Sequence, residues 1–225
     1  MFGINDALDP TVRSQPFSGR HIFRRSEIES LVRCYGANSN SYVLLEGAKH
    51  YFMSHRTHGF IAYEVRAGVA VIGGDPVCAP QDASALLEDF MQAVNPLPVC
   101  AYQVTGEMLK AFRRVGFDDL QIGKEAVIDL TRFSLVGDEM EMIRTKVNNV
   151  RRSGVRLIEH HPCAPGARTL NSELQCINIK WLCRRGKREK GFLIGRLDLE
   201  RRTAKRYFVA RSGFGTGRVE GVHRL

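Results

Sequence analysis

The stretch EMIRTKVNNVRRSGV, Glu141 to Val155, groups strong hydrogen-bond donors at close spacing. Read as a helix, it carries Met140, Ile143, Val147 and Val150 at three- and four-residue intervals, one apolar stripe that predicts a buried side. Arg144, Lys146, Asn148, Asn149, Arg151 and Arg152 fill the other faces, and Gly154 stops the helix. A denser cluster follows in Arg184, Arg185, Lys187, Arg188 and Lys190. Cations grouped in this way hold phosphates or, more blandly, face water.

Other residues point to chemistry less directly. Gly73, Gly74 and Asp75 join a buried strand to a helix, a junction whose free N–H groups can hold an anion, although Asp-Pro is also an ordinary turn former. Gln103, on the strand AYQV, either faces a cleft or satisfies a backbone group. His50, His55 and His58 show no partner pattern. His160, His161 and Cys163 lie together without a second ligand pair, so no zinc site is expected. No Ser-His-Asp arrangement or nucleophilic cysteine signature is visible, so no covalent enzyme intermediate is expected.

The elements that must position these groups are legible in outline. Residues 1–20 read as a loose lead-in. Ser26 and Glu29 form a capping box for a helix reaching about Tyr35. SYVLLEG, KHYFMSH, GFIAYEVRAG and GVAVIGG predict an antiparallel meander of strands. DASALLEDFMQAV places Leu86, Leu87, Phe90 and Val94 on one helical face. PVCAYQV reads as a buried strand, GEMLKAFRRVGF as a helix ended by Gly116, and DDLQIGKEAVIDL as one or two strands. After the basic helix come a strand at VRLIEH, a linker at HPCAPGA, and a helix with Leu170, Leu174, Ile177 and Trp181 at helical spacing. KRYFVARSG and GRVEGV close the chain as a hairpin. The order predicts a mixed α/β fold with a second, similar start after the basic helix.

Charge is distributed unevenly along this plan. Of 33 Lys and Arg and 24 Asp and Glu, 18 and 5 respectively fall between Arg144 and Arg211, leaving 15 and 19 for the rest. A mildly acidic front half is joined to a strongly basic back half, within a net charge of +9. That asymmetry favours a polyanionic partner, nucleic acid or an anionic membrane surface. No apolar run approaches the roughly 20 residues that cross a bilayer. Six cysteines without paired spacing read as reduced thiols of a cytosolic protein.

The segments GFIAYEVRAGVAVIGGDPVCAP, YQVTGEMLKAFRRVGF, KEAVIDLTRFSLVG, RTKVNNVRRSGV and KGFLIGRLDLER, in this order, resemble the C-terminal catalytic domain of lysylphosphatidylglycerol synthases. The resemblance covers roughly Ser41 to Val219. It implies two GNAT-like acyltransferase lobes in tandem, here residues 21–160, with the basic helix at 138–153, and an incomplete second lobe at 161–225. It further implies transfer of a lysyl or similar group from aminoacyl-tRNA to phosphatidylglycerol or a related lipid, without metal or organic cofactor, by a cytoplasmic protein peripheral at the inner face of the plasma membrane. Asp75, Gln103, Arg144, Lys146, Asn148, Arg151, Arg152, Arg184, Arg185, Lys187 and Arg188 become candidate substrate contacts. Arg196 and Asp198, in the family-like GRLD, become candidate catalytic residues.

One departure stands beside the resemblance. After the closing hairpin nothing corresponds to the Asp-x-x-Arg element or the terminal Lys segment with which the second lobe of full-length relatives continues, so a C-terminally truncated member is expected. That leaves open a non-catalytic fragment binding tRNA or anionic lipid, and a Fem-type peptidoglycan aminoacyltransferase relative, which shares the basic helix. An acetyl-CoA-dependent acetyltransferase is disfavoured, because the loop at Gly73–Asp75 lacks the usual run of basic and glycine residues.

Overall fold

A computed structural model describes residues 25–38, 40–46, 49–184, 186, 197–199, 205–212 and the backbone of 219–224. The chain divides into two compact units, residues 1–120 with 190–195, and residues 121–189 with 196–225.

The first unit is built on a mixed sheet covered on both faces. Helix α1 (Arg25–Tyr35) precedes strands β1 (His50–Met53), β2 (Gly59–Arg66), β3 (Val69–Gly73) and β4 (Val77–Cys78). Helix α2 (Ala83–Val94), strand β5 (Val99–Tyr102) and helix α3 (Leu109–Arg114) follow. β2 pairs antiparallel with β1, β3 and β4, while β3 pairs parallel with β5. A parallel neighbour needs a crossover, and α2 supplies it.

Alternation along β2 assigns its side chains to two layers. Phe60 and Ala62 pack with Ile28, Leu31 and Val32 of α1, whereas Ile61 packs with Leu86, Leu87 and Phe90 of α2. Phe90 meets Phe52 and Tyr63 edge-on, with ring centroids 5.5 and 5.0 Å apart. All four expected residues of the α2 stripe are buried. The hydrophobic run of β2 is continuous at its start because both of its faces are covered.

An irregularity in the ladder matters for function. Tyr63 faces Ile72 and Phe60 faces Val77, so three steps along β2 match five along the facing chain. β3 and β4 are thus one strand interrupted by a two-residue bulge within 73–76, Gly-Gly-Asp-Pro.

The second unit holds helix α4 (Glu141–Arg152), strand β6 (Val155–His160), helix α5 (Arg168–Arg184) and strands β7 (Tyr207–Ser212) and β8 (Val219–Arg224). The three strands form an antiparallel sheet in chain order. Among the described residues its core holds Leu174, Leu199, Tyr207 and Val209.

Five expectations are corrected. SYVLLEG is a turn with a short 3-10 helix at Val43–Leu45. Lys49 Nζ donates to the Val43 carbonyl at 2.9 Å and to that of Glu46, and Tyr51 Oη donates to the Leu44 carbonyl, which satisfies the backbone without a strand partner. DDLQIGKEAVIDL forms no strand, since no neighbouring edge pairs with it, and Leu120, Ile122, Val127, Ile128 and Leu130 stay exposed. β5 is half-buried at most. The apolar stripe of α4 is not buried: Ile143 is 40% and Val150 is 50% exposed. Trp181, at 52% exposed, likewise falls off the buried side of α5, where Leu174 alone is fully covered. Gly116 and Gly154, at φ of +90° and +75°, end α3 and α4 as expected.

Candidate functional site

The residues singled out by type and spacing lie in two places, one in each unit. The first is the carboxyl end of the parallel pair, where open α/β sheets hold ligands. Gly73 faces Tyr102 across it, and Gly74 N–H donates to the Tyr102 carbonyl at 2.8 Å. From there the ladder gives way to a side chain. Asp75 Oδ1 accepts from Thr105 N–H at 2.9 Å, and its Oδ2 accepts from Thr105 Oγ1 at 2.8 Å and Asn38 Nδ2 at 2.7 Å. Asn38 Oδ1 in turn accepts from the N–H groups of Asn40 and Ser41. One carboxylate therefore ties the bulge to the segment after α1 and the segment after β5.

Burial pushes the Asp75 carboxyl above the usual carboxylate range, Glu107 adds repulsion, and the donors from Thr105 and Asn38 oppose the rise. With both oxygens engaged, the group fixes geometry more readily than it moves a proton. Gln103, half-buried, follows from that geometry. It adopts φ of +61°, a left-handed conformation that costs a non-glycine residue on the order of 1 kcal/mol. Its Oε1 is buried with no hydrogen-bond partner among the described residues. A buried acceptor left open in this way suits a donor brought by a ligand, a hydroxyl or an ammonium. Gly74, also left-handed at φ +73°, keeps the backbone free of a Cβ at the turn.

The second place is the basic surface of the other unit. Arg144 Nη1 donates to the carbonyls of Leu135 and Gly137, at 2.6 and 2.5 Å, and so pins the chain entering α4. Lys146, Asn148, Arg151 and Arg152 are exposed on α4, and their side chains bond to no described residue. Arg184 is exposed at the end of α5, a favourable place for a cation. Other cations of the region are already paired. Arg206 grips Glu159 through two bonds of 2.8 and 2.9 Å, and Arg211 meets Glu173 at 3.0 Å. Arg185, Lys187, Arg188, Lys190 and Arg196 lie outside the described residues. Asp198 is half-buried, and its carbonyl accepts from Tyr207 Oη, which anchors β7.

A family profile described as "Phosphatidylglycerol lysyltransferase, C-terminal" matches residues 30–225. The chain belongs to this phosphatidylglycerol lysyltransferase C-terminal family. Among its relatives, the phosphatidylglycerol lysyltransferase of Staphylococcus aureus strain MRSA252 is 29% identical over 174 residues, 76% of this chain and 20% of that protein. The enzyme of the same name from Staphylococcus haemolyticus is 27% identical over 190 residues, 81% of this chain and 22% of that one. The chain thus spans about a fifth of the length of these relatives. The solved structure of L-PGS from Bacillus licheniformis shares the fold, with a TM-score of 0.75 at 23% identity, covering 88% of this chain and 60% of that one. Family membership and the mixed α/β fold accord with the resemblance carried by the quoted motifs.

Sequence reading missed Asn38 and Thr105, which complete the Asp75 network. They stand 37 and 30 residues from Asp75, and no local pattern joins them to it. His160 is structural: a ring nitrogen lies 2.7 Å from Asn171 Oδ1, and Asn171 Nδ2 donates to the Pro162 carbonyl. Among the described residues, no three His, Cys, Asp or Glu groups converge to hold a metal, and no helix is long and apolar enough to cross a membrane.

Proposed function

We propose that this chain serves the transfer of an aminoacyl group, lysyl or similar, from aminoacyl-tRNA to the headgroup of phosphatidylglycerol or a related lipid, on GNAT-like lobes and at the inner face of the plasma membrane. The family match supports the reading, and one observation in the molecule carries it: Lys146, Arg151 and Arg152 stand exposed in the basic half, without partners among the described residues. Both substrates bear phosphates, and neutralising phosphates with Arg and Lys releases counterions and supplies affinity. The contact positions the substrate without reading its sequence.

The chemistry asks little of the protein beyond placement. The aminoacyl ester is already activated. A lipid hydroxyl attacks its carbonyl carbon, the bond from that carbon to the terminal ribose oxygen breaks, and the hydroxyl proton ends on the departing oxygen. Holding the two reactants in contact supplies much of the acceleration, and hydrogen bonds at the changing oxygens supply more. In this reading the Gln103 amide oxygen accepts from the attacking hydroxyl or from the amino group of the aminoacyl ester. Asp75 holds the strand ends that carry it. By resemblance to the family motif GRLD, Arg196 and Asp198 are the candidate catalytic residues.

The test is direct. Purified protein, lysyl-tRNA and phosphatidylglycerol vesicles should yield lysylated lipid above a heat-killed control, with a rate that falls steeply as salt rises. Binding of tRNA or vesicles with no lipid product would overturn transfer and leave a binding module.

A further inference from the structure

Helix α4 presents an arrangement that phosphate binding alone does not need. Met142, Lys146 and Val150 follow one another at four-residue spacing and form a row along the helix, with Ile143 beside it. Met142 is 64%, Ile143 40% and Val150 50% exposed. Their own unit leaves them uncovered, although α4 has β6 next to it and keeps Met140 and Val147 half-buried. Cations accompany this row. Lys146 lies within it, and Arg151 and Arg152 follow at its end, all without partners among the described residues.

We propose that α4 is an interfacial helix that lies on an anionic lipid surface, with Met142, Ile143 and Val150 entering the headgroup–acyl boundary and Lys146, Arg151 and Arg152 meeting lipid phosphates. The inference takes from the functional reading only that a lipid is a substrate; it adds where and how the protein meets the bilayer. Exposed apolar side chains with cations among them and in the last turn, on a helix of low overall hydrophobicity, are features that lay a helix in a membrane interface. The stem of Lys146 lies along the apolar row while its ammonium reaches the headgroups.

Charge decides among the possible occupants. A second copy of the same face would set Lys146, Arg151 and Arg152 against their own equivalents, a like-charge contact. An RNA backbone would satisfy the cations but gain nothing from Met142, Ile143 and Val150, which would remain in water. An anionic bilayer satisfies both sets together. The 12 residues of α4 would extend about 18 Å along such a surface, at 1.5 Å per residue.

The experiment is co-sedimentation of the full chain with vesicles of equal parts phosphatidylglycerol and phosphatidylcholine, beside vesicles of phosphatidylcholine alone. The chain should partition onto the anionic vesicles and hardly onto the neutral ones. The double variant Ile143→Asp/Val150→Asp should lose at least about tenfold in partition, because two buried apolar contacts are replaced by charges facing the lipid. Its retention of tRNA on a filter should change far less. A second readout does not depend on that variant's folding: Ile143→Trp in a Trp181→Phe background should shift its emission to the blue on anionic vesicles and be quenched by brominated acyl chains. Partition of the double variant equal to that of the unaltered chain, or an Ile143→Trp emission unmoved by vesicles, would overturn the proposal. So would equal loss of vesicle and tRNA binding by a double variant that melts normally, since that would mark α4 as a general polyanion site. Vesicle binding is read without tRNA and without turnover, so its outcome stands apart from that of the transfer assay.

Discussion

The two units of this chain make a contrast in how a sheet is closed. In the first, α1 and α2 cover opposite faces, and residues from β2, β3, β4 and both helices sink below one-tenth exposure. In the second, four of the described residues form the buried cluster, while Ile122, Val127, Leu130, Val136, Met142 and Leu157 are all more than three-fifths exposed. A sheet with one covered face keeps its apolar residues near water unless a partner arrives. The same unit holds most of the basic excess. In the proposed reading, the first unit holds a fixed geometry at Asp75 and Gln103, and the second meets an anionic lipid surface.

The largest expected effects come from breaking the closed unit. Phe90→Ala should destabilise it by about 3–5 kcal/mol, because an aromatic packed against two others leaves a cavity. Amide exchange should accelerate through 83–94 and 59–73, and the segment 155–160 should keep its own rate. Leu174→Ala should do the reverse, loosening 155–160 and 207–212 while 59–73 holds.

Next in size is Asp75. Asp75→Ala removes the acceptor for Thr105 and Asn38 and should cost about 1–3 kcal/mol, with larger loss of transfer than of lipid or tRNA binding if the strand ends hold the reacting groups. A tRNA-binding loss equal to the transfer loss would argue that the carboxyl end of the pair is only structural.

Acid provides a gentler probe of the first unit. The Asp89 carboxyl is held below the usual range by hydrogen bonds from Arg56, with help from Ser54, against the cost of burial. A depressed native value contributes stability that is present above the unfolded pKa and lost as pH falls through the native one. Asp89→Asn should therefore flatten the acid limb of the melting curve. An unchanged limb would remove this pair from the account.

The smallest perturbation is a thiol count. Cys78 is buried on β4, and burial pushes its thiol up to about 12, whereas Cys34, Cys100, Cys163, Cys176 and Cys183 are exposed. Five thiols should react quickly with a maleimide and one only on unfolding. Six fast thiols would show that the first unit is not closed at β4.

What could be read in the sequence follows the same division. Leu86, Leu87, Phe90 and Val94 announce α2 because its stripe meets a complete sheet, and Gly116 and Gly154 mark helix ends by the conformation they alone adopt easily. The strand signal at Val43–Leu45 misleads because Lys49 and Tyr51, which satisfy those carbonyls, act from outside the local pattern. The alternating run from Leu120 to Leu130 carries strand propensity, but propensity does not provide an edge to pair with. At the candidate site, the Gly-Gly-Asp-Pro bulge and the basic residues of α4 could be singled out by type. The links from Asp75 to Asn38 and Thr105 could not, since contacts across 30 or more residues leave no periodic trace. Nor could the left-handed backbone of Gln103, a residue type with no preference for it.

Hydrogen–deuterium exchange of the whole chain, with and without phosphatidylglycerol vesicles, tests the central contrast most directly. The account predicts that 59–73 and 83–94 are protected before lipid is added and unchanged by it, while 141–152 exchanges readily alone and gains protection on the vesicles. Protection of 141–152 in the free chain, or a lipid effect confined to 59–73 and 83–94, would contradict it.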